Sequence, residues 1–121
     1  MSSSLILALN HNPRNLDILS KVLIEEGFKV KGVTTPPEMD ELVLGRDDIK
    51  MVLIDLSGFN KTIWESCERL RKKEIPFLIL SPHHQKAVEQ QSMIHGAEGV
   101  LVKPLVVKEL IFIIKSMLES D

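Results

Sequence analysis

The sequence is short of cysteine, of net charge and of long apolar runs, and each shortage excludes a class of protein. Because Cys67 is the only cysteine, no intramolecular disulfide can form. The formal net charge of -2 provides no electrostatic footprint for nucleic acid, which excludes direct nucleic-acid binding by this chain. The apolar run at residues 110–114 is flanked by Lys108, Glu109 and Lys115, and it is far too short to cross a membrane.

The beginning and the length of the chain predict one domain in the cytoplasm. The first ten residues, MSSSLILALN, lack the basic segment and the long apolar core of a signal peptide. The 121 residues correspond to a single domain, 1–121. A chain of this size buries roughly two-thirds of the surface of its unfolded form, so it needs no cross-link to be stable.

Short apolar runs predict the strands of a parallel sheet. Four of them are continuous, which is typical of strands buried on both faces, and they cover residues 5–9, 51–54, 77–80 and 100–102. A weaker run at 28–33 alternates between apolar and polar residues, and it predicts a strand nearer the edge of the sheet.

Helical patterns lie between these runs. They begin near residues 13, 36, 61, 86 and 106 and end near residues 26, 45, 73, 95 and 118. Pro13 suits a first helical turn, and Gly27 suits the left-handed residue that ends a helix. The alternation of strands with helices predicts an α/β fold in which a five-stranded parallel sheet carries helices on both faces. Functional sites in such sheets lie at the carboxyl ends of the strands.

Three residues at predicted strand ends form a set suited to phosphoryl transfer. Asp55 ends the run MVLID, Ser81 ends LILS, and Lys103 follows the last strand in LVKP. A carboxylate at a strand end can attack phosphorus. A lysine can offset charge on the phosphoryl oxygens, and a hydroxyl can donate a hydrogen bond to one of them.

Three segments carry a resemblance to a known family. LNHNPRNLDILSKVLIEEGFKV, VLIDL and GAEGVLVKP, in this order and spacing, resemble the first loop and helix, the phosphoacceptor strand and the last strand of response-regulator receiver domains. The resemblance extends over essentially the whole chain and implies the (βα)5 flavodoxin-like receiver fold. It also implies that Asp55 is the phosphoacceptor, Ser81 the switch hydroxyl and Lys103 the phosphate-binding lysine, with the usual cis bond to Pro104.

The same resemblance implies the partners. A receiver takes a phosphoryl group from a histidine kinase or a phosphotransfer protein and passes the signal to an output partner protein, and it is not an enzyme in its own right. The expected function is therefore two-component, or phosphorelay, signal transduction by protein–protein interaction.

The sequence departs from the family at the metal site. Receivers usually carry two adjacent acidic residues after the first strand, and these hold the Mg²⁺ that phosphoryl transfer requires. Here those positions are Asn10 and His11. Asn10 offers a neutral carbonyl oxygen, and imidazole suits transition metals better than Mg²⁺. With Asp55 as the remaining charged ligand, Mg²⁺ binding is expected to be weak.

Further departures surround the expected phosphate site. Pro82 follows Ser81 and has no N–H to donate to a phosphate. Val100 stands where receivers usually carry an aromatic switch residue, so the usual coupling between a hydroxyl and a ring is lost. Gly58 and Phe59 replace the usual Met-Pro pair after the acceptor strand, and greater freedom of that loop is expected.

Three functions remain open at this point. The first is a divergent receiver that binds partner proteins while its metal-dependent phosphorylation is weakened. The second is a conventional receiver that a histidine kinase phosphorylates on Asp55. The third is a phosphatase with an aspartyl-phosphate intermediate, but Ser57 stands where such enzymes usually carry a second aspartate.

Simpler structural roles are also open for several of these residues. Asp55 can be a strand-end carboxylate that is paired with Lys103, and Ser81 can cap the loop that follows its strand. A three-histidine transition-metal site is a further alternative. Its ligands would be His11, His83 and His84.

Three other residues are interpreted as structural. His95 is placed at a helix end, where the helix dipole favours its protonated form. Trp64 is interpreted as a half-buried packing residue, and Cys67 as a small apolar residue on the face of its helix.

The last helix predicts an association surface. The apolar stripe that can face the sheet consists of Val107, Leu110, Ile111, Ile114 and Leu118. Beside it lies a second group that would leave an apolar patch in water, namely Val106, Ile113 and Met117. Phe112 lies on the opposite, otherwise polar face. Receivers commonly pair through this region, so the patch predicts a homodimer or a partner protein there.

Overall fold

The computed structural model describes residues 4–119, and five strands alternate with five helices. The strands are β1 (Leu5–Leu9), β2 (Lys29–Val33), β3 (Ile49–Asp55), β4 (Phe77–Ser81) and β5 (Gly99–Val102). The helices are α1 (Pro13–Glu25), α2 (Pro36–Gly45), α3 (Ile63–Lys72), α4 (Lys86–Ile94) and α5 (Val107–Glu119). Each predicted element is present, with ends that differ from the predicted ones by two residues or fewer.

All five strands are parallel and lie in the order β2-β1-β3-β4-β5. The chain adds β2 on one side of β1 and the later strands on the other side, so the direction of strand addition reverses at β1. β2 forms one edge, as its alternating pattern predicts, and Lys29 and Lys31 are exposed there whereas Val33 is buried. The predicted five-stranded parallel sheet with helices on both faces is confirmed.

Successive residues of the central strands point to opposite faces of the sheet, which explains their continuous apolar runs. In β1, Leu5, Leu7 and Leu9 pack in the core that α2 and α3 cover. Ile6 and Ala8 pack in the core that α1 and α5 cover. β1 is therefore buried on both faces.

Local chemistry determines where α1 begins and ends. Asn12 caps its first turn, since the side chain accepts from the N–H groups of Arg14 and Asn15. Pro13 occupies the first turn, where the missing N–H has no helical partner to lose. Gly27 follows the helix with φ +96°, the left-handed conformation predicted for it. α1 thus starts close to the carboxyl end of β1.

The helices differ in how firmly the core holds them. α3 buries Ile63, Ser66, Cys67 and Leu70, whereas α4 buries Ser92 alone among its described residues. Burial raises the pKa of the Cys67 thiol to about 12, which suits the small apolar role predicted for it. α4 is accordingly the helix with the least support from the core.

None of the helices that the structure describes is long and apolar enough to cross a membrane. The longest, α1 and α5, have 13 residues each, whereas about 20 are needed to span a bilayer.

Candidate functional site

Four polar side chains end or follow neighbouring strands at the carboxyl edge of the sheet. Asp55 ends β3 and Ser81 ends β4, while Asn10 follows β1 and Lys103 follows β5. Because β3 lies between β1 and β4, Asp55 has Asn10 on one side and Ser81 on the other. The boundary between β1 and β3 is also where strand addition reverses, which is where sheets of this kind form their sites.

The Asp55 carboxylate is buried and accepts from three donors. Oδ2 accepts from Asn10 Nδ2 at 3.2 Å and forms an ion pair with Lys103 Nζ. Oδ1 accepts from the backbone N–H of Ser57 at 2.9 Å. A buried carboxylate is stable only when it is paired and hydrogen-bonded, and these contacts satisfy both conditions. The predicted proximity of Asp55 and Lys103 is thus present in the unmodified chain.

Asn10 uses both ends of its amide. While Nδ2 donates to Asp55, Oδ1 accepts from the backbone N–H of Asn12 at 2.9 Å. Asn12 in turn caps α1, so a chain of hydrogen bonds connects the Asp55 carboxylate to the first turn of that helix. The oxygen of Asn10, which is its atom suited to a metal ion, is already engaged.

His11 is exposed, and its ring lies against Phe59 in the β3–α3 loop. The ring centroids are 5.9 Å apart and the planes meet at 81°, an edge-to-face arrangement. Gly58 makes this approach feasible, since a Cβ atom there would lie 2.9 Å from His11 Cδ2. Gly58 also has φ +84°, a conformation that favours glycine. His11 therefore packs on the loop that follows Asp55.

The three-histidine alternative finds no support in the part of the chain that the structure describes. His83 and His84 are exposed in the β4–α4 loop. Among residues 4–119, no group of three His, Cys, Asp or Glu side chains is placed to hold a metal ion.

The donor set at this edge fits Mg²⁺ poorly. Asp55 brings a carboxylate, the ligand that Mg²⁺ prefers, but its Oδ2 is already bonded to Asn10 and Lys103. Asn10 Oδ1 holds the Asn12 N–H, and His11 lies against Phe59. The two positions after β1 therefore offer a metal ion no carboxylate, and the one side-chain oxygen there already accepts a hydrogen bond.

Ser81 is buried, and its hydroxyl is used within its own loop. Oγ donates to the carbonyl of His83 at 2.8 Å, and the His83 N–H approaches Oγ at 3.4 Å. The loop-capping role left open for Ser81 is therefore present. A role toward a phosphoryl group on Asp55 would require the hydroxyl to exchange this carbonyl for a phosphoryl oxygen.

Val100 and the bond before Pro104 complete the edge. Val100 is partly buried in β5 and packs against the core that α2 and α3 cover, so an aliphatic group fills the expected aromatic position. The Lys103–Pro104 peptide bond is cis, as the resemblance implies.

A groove of about 330 Å³ opens beside Asp55 between α1 and the segment that leads into α5. Its walls are largely apolar, with Ile18 and Leu19 on one side and Leu105 and Val107 on the other. Ile18 is 56% exposed, so an apolar side chain of α1 faces water beside the site. The groove connects this exposed apolar surface with Asp55 and Lys103, which also line it.

The association patch predicted on α5 is only partly exposed. Val106 is 61% exposed, but Ile113 and Met117 pack against the core that α1 and α5 cover. A helical wheel considers the helix alone and therefore does not show that Ile113 and Met117 contact residues at the margin of this core. Val107, which was expected to face the sheet, is 47% exposed, and Phe112 is 71% exposed.

A second polar cluster lies away from this edge and was not predicted. It joins Trp64, Glu68 and Arg71 of α3 to His95, which follows α4. The three α3 residues have the spacing i, i+4, i+7, which places them on one face of the helix. This spacing is the feature of the sequence from which part of the cluster could be predicted. The predicted helix-end position of His95 and the partial burial of Trp64 are both confirmed.

The sequence matches a known protein family. The family model described as the response regulator receiver domain matches residues 6–115. A curated relative, the heme response regulator HssR of Staphylococcus saprophyticus, is 25% identical over 114 residues. That match covers 93% of this chain and 50% of HssR, so the chain spans about half the length of this relative.

Solved structures share the fold. A CheY-like receiver domain protein of Methanospirillum hungatei has a TM-score of 0.86 at 20% identity, over 96% of this chain and 94% of that one. The orphan response regulator HP1043 of H. pylori has a TM-score of 0.83 at 21% identity, over 98% of each chain. Because the sequence identities are so low, these structures show that the fold is shared and nothing about function.

Proposed function

Because the chain belongs to the response regulator receiver domain family of two-component signalling, we propose that it is a receiver that signals by binding partner proteins. Asp55 holds the phosphoacceptor position, and its Mg²⁺-dependent phosphorylation is weakened. The observation that carries this proposal is the set of bonds at Asp55, whose oxygens already accept from Asn10, Lys103 and the backbone of Ser57.

The reasons for weak phosphorylation are physical. Attack on phosphorus needs a free lone pair on Asp55 and cations that offset the charge of the phosphoryl oxygens. Lys103 supplies one cation, but the Asn10 amide donates to Oδ2, the same oxygen that Lys103 pairs with. Ser81 must also leave the His83 carbonyl before its hydroxyl reaches a phosphoryl oxygen.

Exposure to a small acyl phosphate with Mg²⁺, followed by intact-mass measurement, tests this proposal. We expect little or no addition of one phosphoryl group under conditions that modify ordinary receivers. Asp55→Ala is the matched control, because it removes the proposed acceptor. Fast, stoichiometric addition that Asp55→Ala abolishes would overturn the weakened-phosphorylation part of the proposal.

The metal part of the proposal has its own test. The variant Asn10→Asp with His11→Asp supplies two carboxylates, and titration calorimetry should show tighter Mg²⁺ binding than in the parent chain. The matched control is Asn10→Ala with His11→Ala, which removes the same contacts and supplies no oxygen ligand. Equal Mg²⁺ affinity in the two double variants would mean that these positions do not face a metal site.

A conventional receiver phosphorylated on Asp55 by a histidine kinase is the second candidate. The groove beside Asp55 favours it, since Ile18 and Val107 offer apolar walls to a docking partner. A phosphorylated histidine phosphotransfer domain is the appropriate donor. Transfer from this protein where a small acyl phosphate fails would favour the second candidate, and Ile18→Glu should then slow the transfer.

We propose no enzymatic turnover for this chain. An aspartyl-phosphate phosphatase needs an acid near its nucleophile, whereas Ser57 presents its backbone N–H to Asp55. Steady release of phosphate from a generic phosphomonoester, lost in Asp55→Ala, would contradict this.

The proposed partners follow from two-component signalling. We treat residues 1–121 as one receiver domain. A histidine kinase or phosphotransfer protein acts upstream of it in the signalling sequence, and an output protein acts downstream. No direct contact with nucleic acid is proposed, and a cytoplasmic location stays a prediction from the sequence.

A homodimer through the last helix is also proposed. The observation behind it is the exposure of two adjacent apolar residues at the start of the last helix, Val106 and Val107. Sedimentation across a concentration series should show association that Val106→Glu weakens and Lys115→Glu, at an exposed polar position, leaves unchanged. Ile113→Glu is the harsher variant, because Ile113 also packs against the core. A parent chain that stays monomeric at high concentration would contradict the dimer.

A further inference from the structure

The C-terminal end of α4 is attached to α3 by a ring stack and a hydrogen bond. The rings of Trp64 and His95 lie face to face, with centroids 5.3 Å apart and 9° between their planes. His95 Nδ1 lies 2.9 Å from Glu68 Oε2. Because an ionised carboxylate only accepts, Nδ1 carries the proton of this bond. One imidazole therefore bridges two side chains that lie one turn apart on α3.

Arg71 adds a further contact at the same end of α4. Its Nη1 donates to the carbonyl of Ile94, the last residue of α4, at 3.2 Å and lies 3.7 Å from Glu68 Oε2. Its side chain also passes over Gly96, where Cδ is 3.1 Å from the position that a Cβ atom would take. Gly96 has φ +100°, so both its backbone and the approach of Arg71 favour glycine there.

The rest of α4 is held less firmly. Ser92 is its one buried residue, and the Ser92 hydroxyl bonds within the helix, to the Val88 carbonyl. Gln85 provides no side-chain cap at the start of the helix. A cavity of about 370 Å³ is lined by residues of both helices, including Val88 of α4 and Ile63 of α3. Because α4 buries so few side chains, the contacts at its C-terminal end contribute a larger share of what holds the helix in place.

We propose that Trp64, Glu68, Arg71 and His95 form a proton-sensitive clamp that holds α4 more firmly on α3 when His95 is protonated. The clamp shares no residue with the set of bonds at Asp55. It controls the end of α4 that carries Ile94, which is 62% exposed. The proton thereby regulates how firmly the last turn of α4 is held.

The surroundings of the His95 ring determine the direction of the effect. Three of them favour a positive ring: the Glu68 carboxylate, the face of the Trp64 indole, and the carbonyl groups at the end of α4. Arg71 opposes it as a like charge, but its guanidinium is already paired with Glu68 and with the Ile94 carbonyl. Glu68 and Arg71 are the charged groups that the described contacts place around this ring.

The chain carries its own reporter for the clamp. Trp64 is the one tryptophan and the sequence has no tyrosine, so intrinsic emission comes from the ring that stacks on His95. A protonated imidazole in contact with an indole quenches its emission. In the 121-residue chain, we expect Trp64 emission to be lower at about pH 5 than at about pH 8. His95→Gln, which can still donate to Glu68, should lose this fall.

Two further variants and a second measurement complete the test. Glu68→Gln keeps an acceptor but removes the charge, and it should move the emission change to lower pH. His84→Gln, at an exposed histidine in the β4–α4 loop, is the matched control and should leave the change intact. Amide exchange, corrected for its intrinsic pH dependence, should show the last turn of α4 protected about threefold more at pH 5 than at pH 8, as expected of a partly exposed ion pair.

The proposal predicts both readouts together. Emission that is constant with pH, or that falls equally in His95→Gln, would overturn it. Equal protection of the last turn of α4 at the two pH values would also overturn it.

Discussion

Two polar clusters join separate elements of this molecule, and they differ in how deeply their carboxylates are buried. At the carboxyl edge of the sheet, the Asp55 side chain is 3% exposed and that of Lys103 is 29% exposed. At the end of α4, the Glu68 side chain is 40% exposed and that of His95 is 23% exposed. The first cluster connects strands at the centre of the fold, whereas the second connects two helices on the outside of the sheet.

This difference determines whether a cluster can open. A buried charge that loses its partner costs about 3–5 kcal/mol, because the low-dielectric interior offers no replacement for water. Charges at a partly exposed site regain hydration when they separate, so their net contribution is small. We therefore expect the Asp55 cluster to be a fixed part of the fold and the α4 clamp to be adjustable.

Loss of Lys103 is the strongest test of this comparison. Lys103→Met keeps the length of the side chain but leaves the Asp55 carboxylate without its cation, and the free energy of unfolding should fall by about 3–5 kcal/mol. Urea unfolding followed by circular dichroism measures the change. Lys108→Met, at an exposed position of α5, is the control and should have little effect.

A second substitution in the same background sharpens this result. Asp55→Asn removes the unpaired charge and should recover much of the stability that Lys103→Met loses. A loss below about 1 kcal/mol for Lys103→Met alone, the size of an exposed pair, would show that the two clusters do not differ as their burial indicates.

Loss of Asn10 separates hydrogen bonding from charge within the buried cluster. Asn10→Ala removes a donor to Asp55 and the acceptor of the Asn12 N–H, and it should lower the free energy of unfolding by about 1–3 kcal/mol. Asn15→Ala, at an exposed position of α1, is the matched control. If both variants unfold at the parent's urea midpoint, the Asn10 amide contributes nothing to holding Asp55.

The smallest effect is expected at the clamp. Glu68→Gln should lower the free energy of unfolding by about 0.2–1 kcal/mol at pH 5 and by less at pH 8, where the imidazole carries less charge. Added salt should reduce the effect further. Thermal unfolding at both pH values measures it, with Glu65→Gln on the exposed side of α3 as control. If Glu68→Gln lowered the free energy of unfolding as much as Lys103→Met does, the two clusters would not differ in strength as their burial indicates.

The strands and the edge that carries the site could be predicted because they depend on local pattern and topology. A strand that is buried on both faces has apolar residues at successive positions, so the runs at 5–9 and 51–54 predict strands. Parallel strands end on the same side of their sheet, which places Asp55 and Lys103 at one edge. Opposite charges at that edge then make an ion pair the expected contact.

Side-chain directions at the site could not be predicted in this way. Asn10 donates to Asp55 and accepts from the Asn12 N–H, while Ser81 bonds to the His83 carbonyl. Each of these bonds depends on the path of a loop of a few residues, and several paths suit the same residues. The amide of Asn10 could as well have turned its oxygen toward the pocket.

The clamp was missed for a different reason. Trp64, Glu68 and Arg71 share one face of α3, and their spacing makes that visible in the sequence. The fourth member, His95, comes from another helix, and its stack on Trp64 depends on how α4 lies over α3. A pattern within one helix cannot specify where a weakly buried neighbouring helix rests.

The outer strand β2 has a consequence for how copies of this protein meet. Lys29 and Lys31 are exposed along this edge. A strand of a second copy that added here in parallel and in register would place like charges about 5 Å apart, which disfavours pairing. The opposite edge, β5, is only 4 residues long and offers a short template. Growth of fibres from the folded sheet is therefore opposed by charge at one edge and by length at the other.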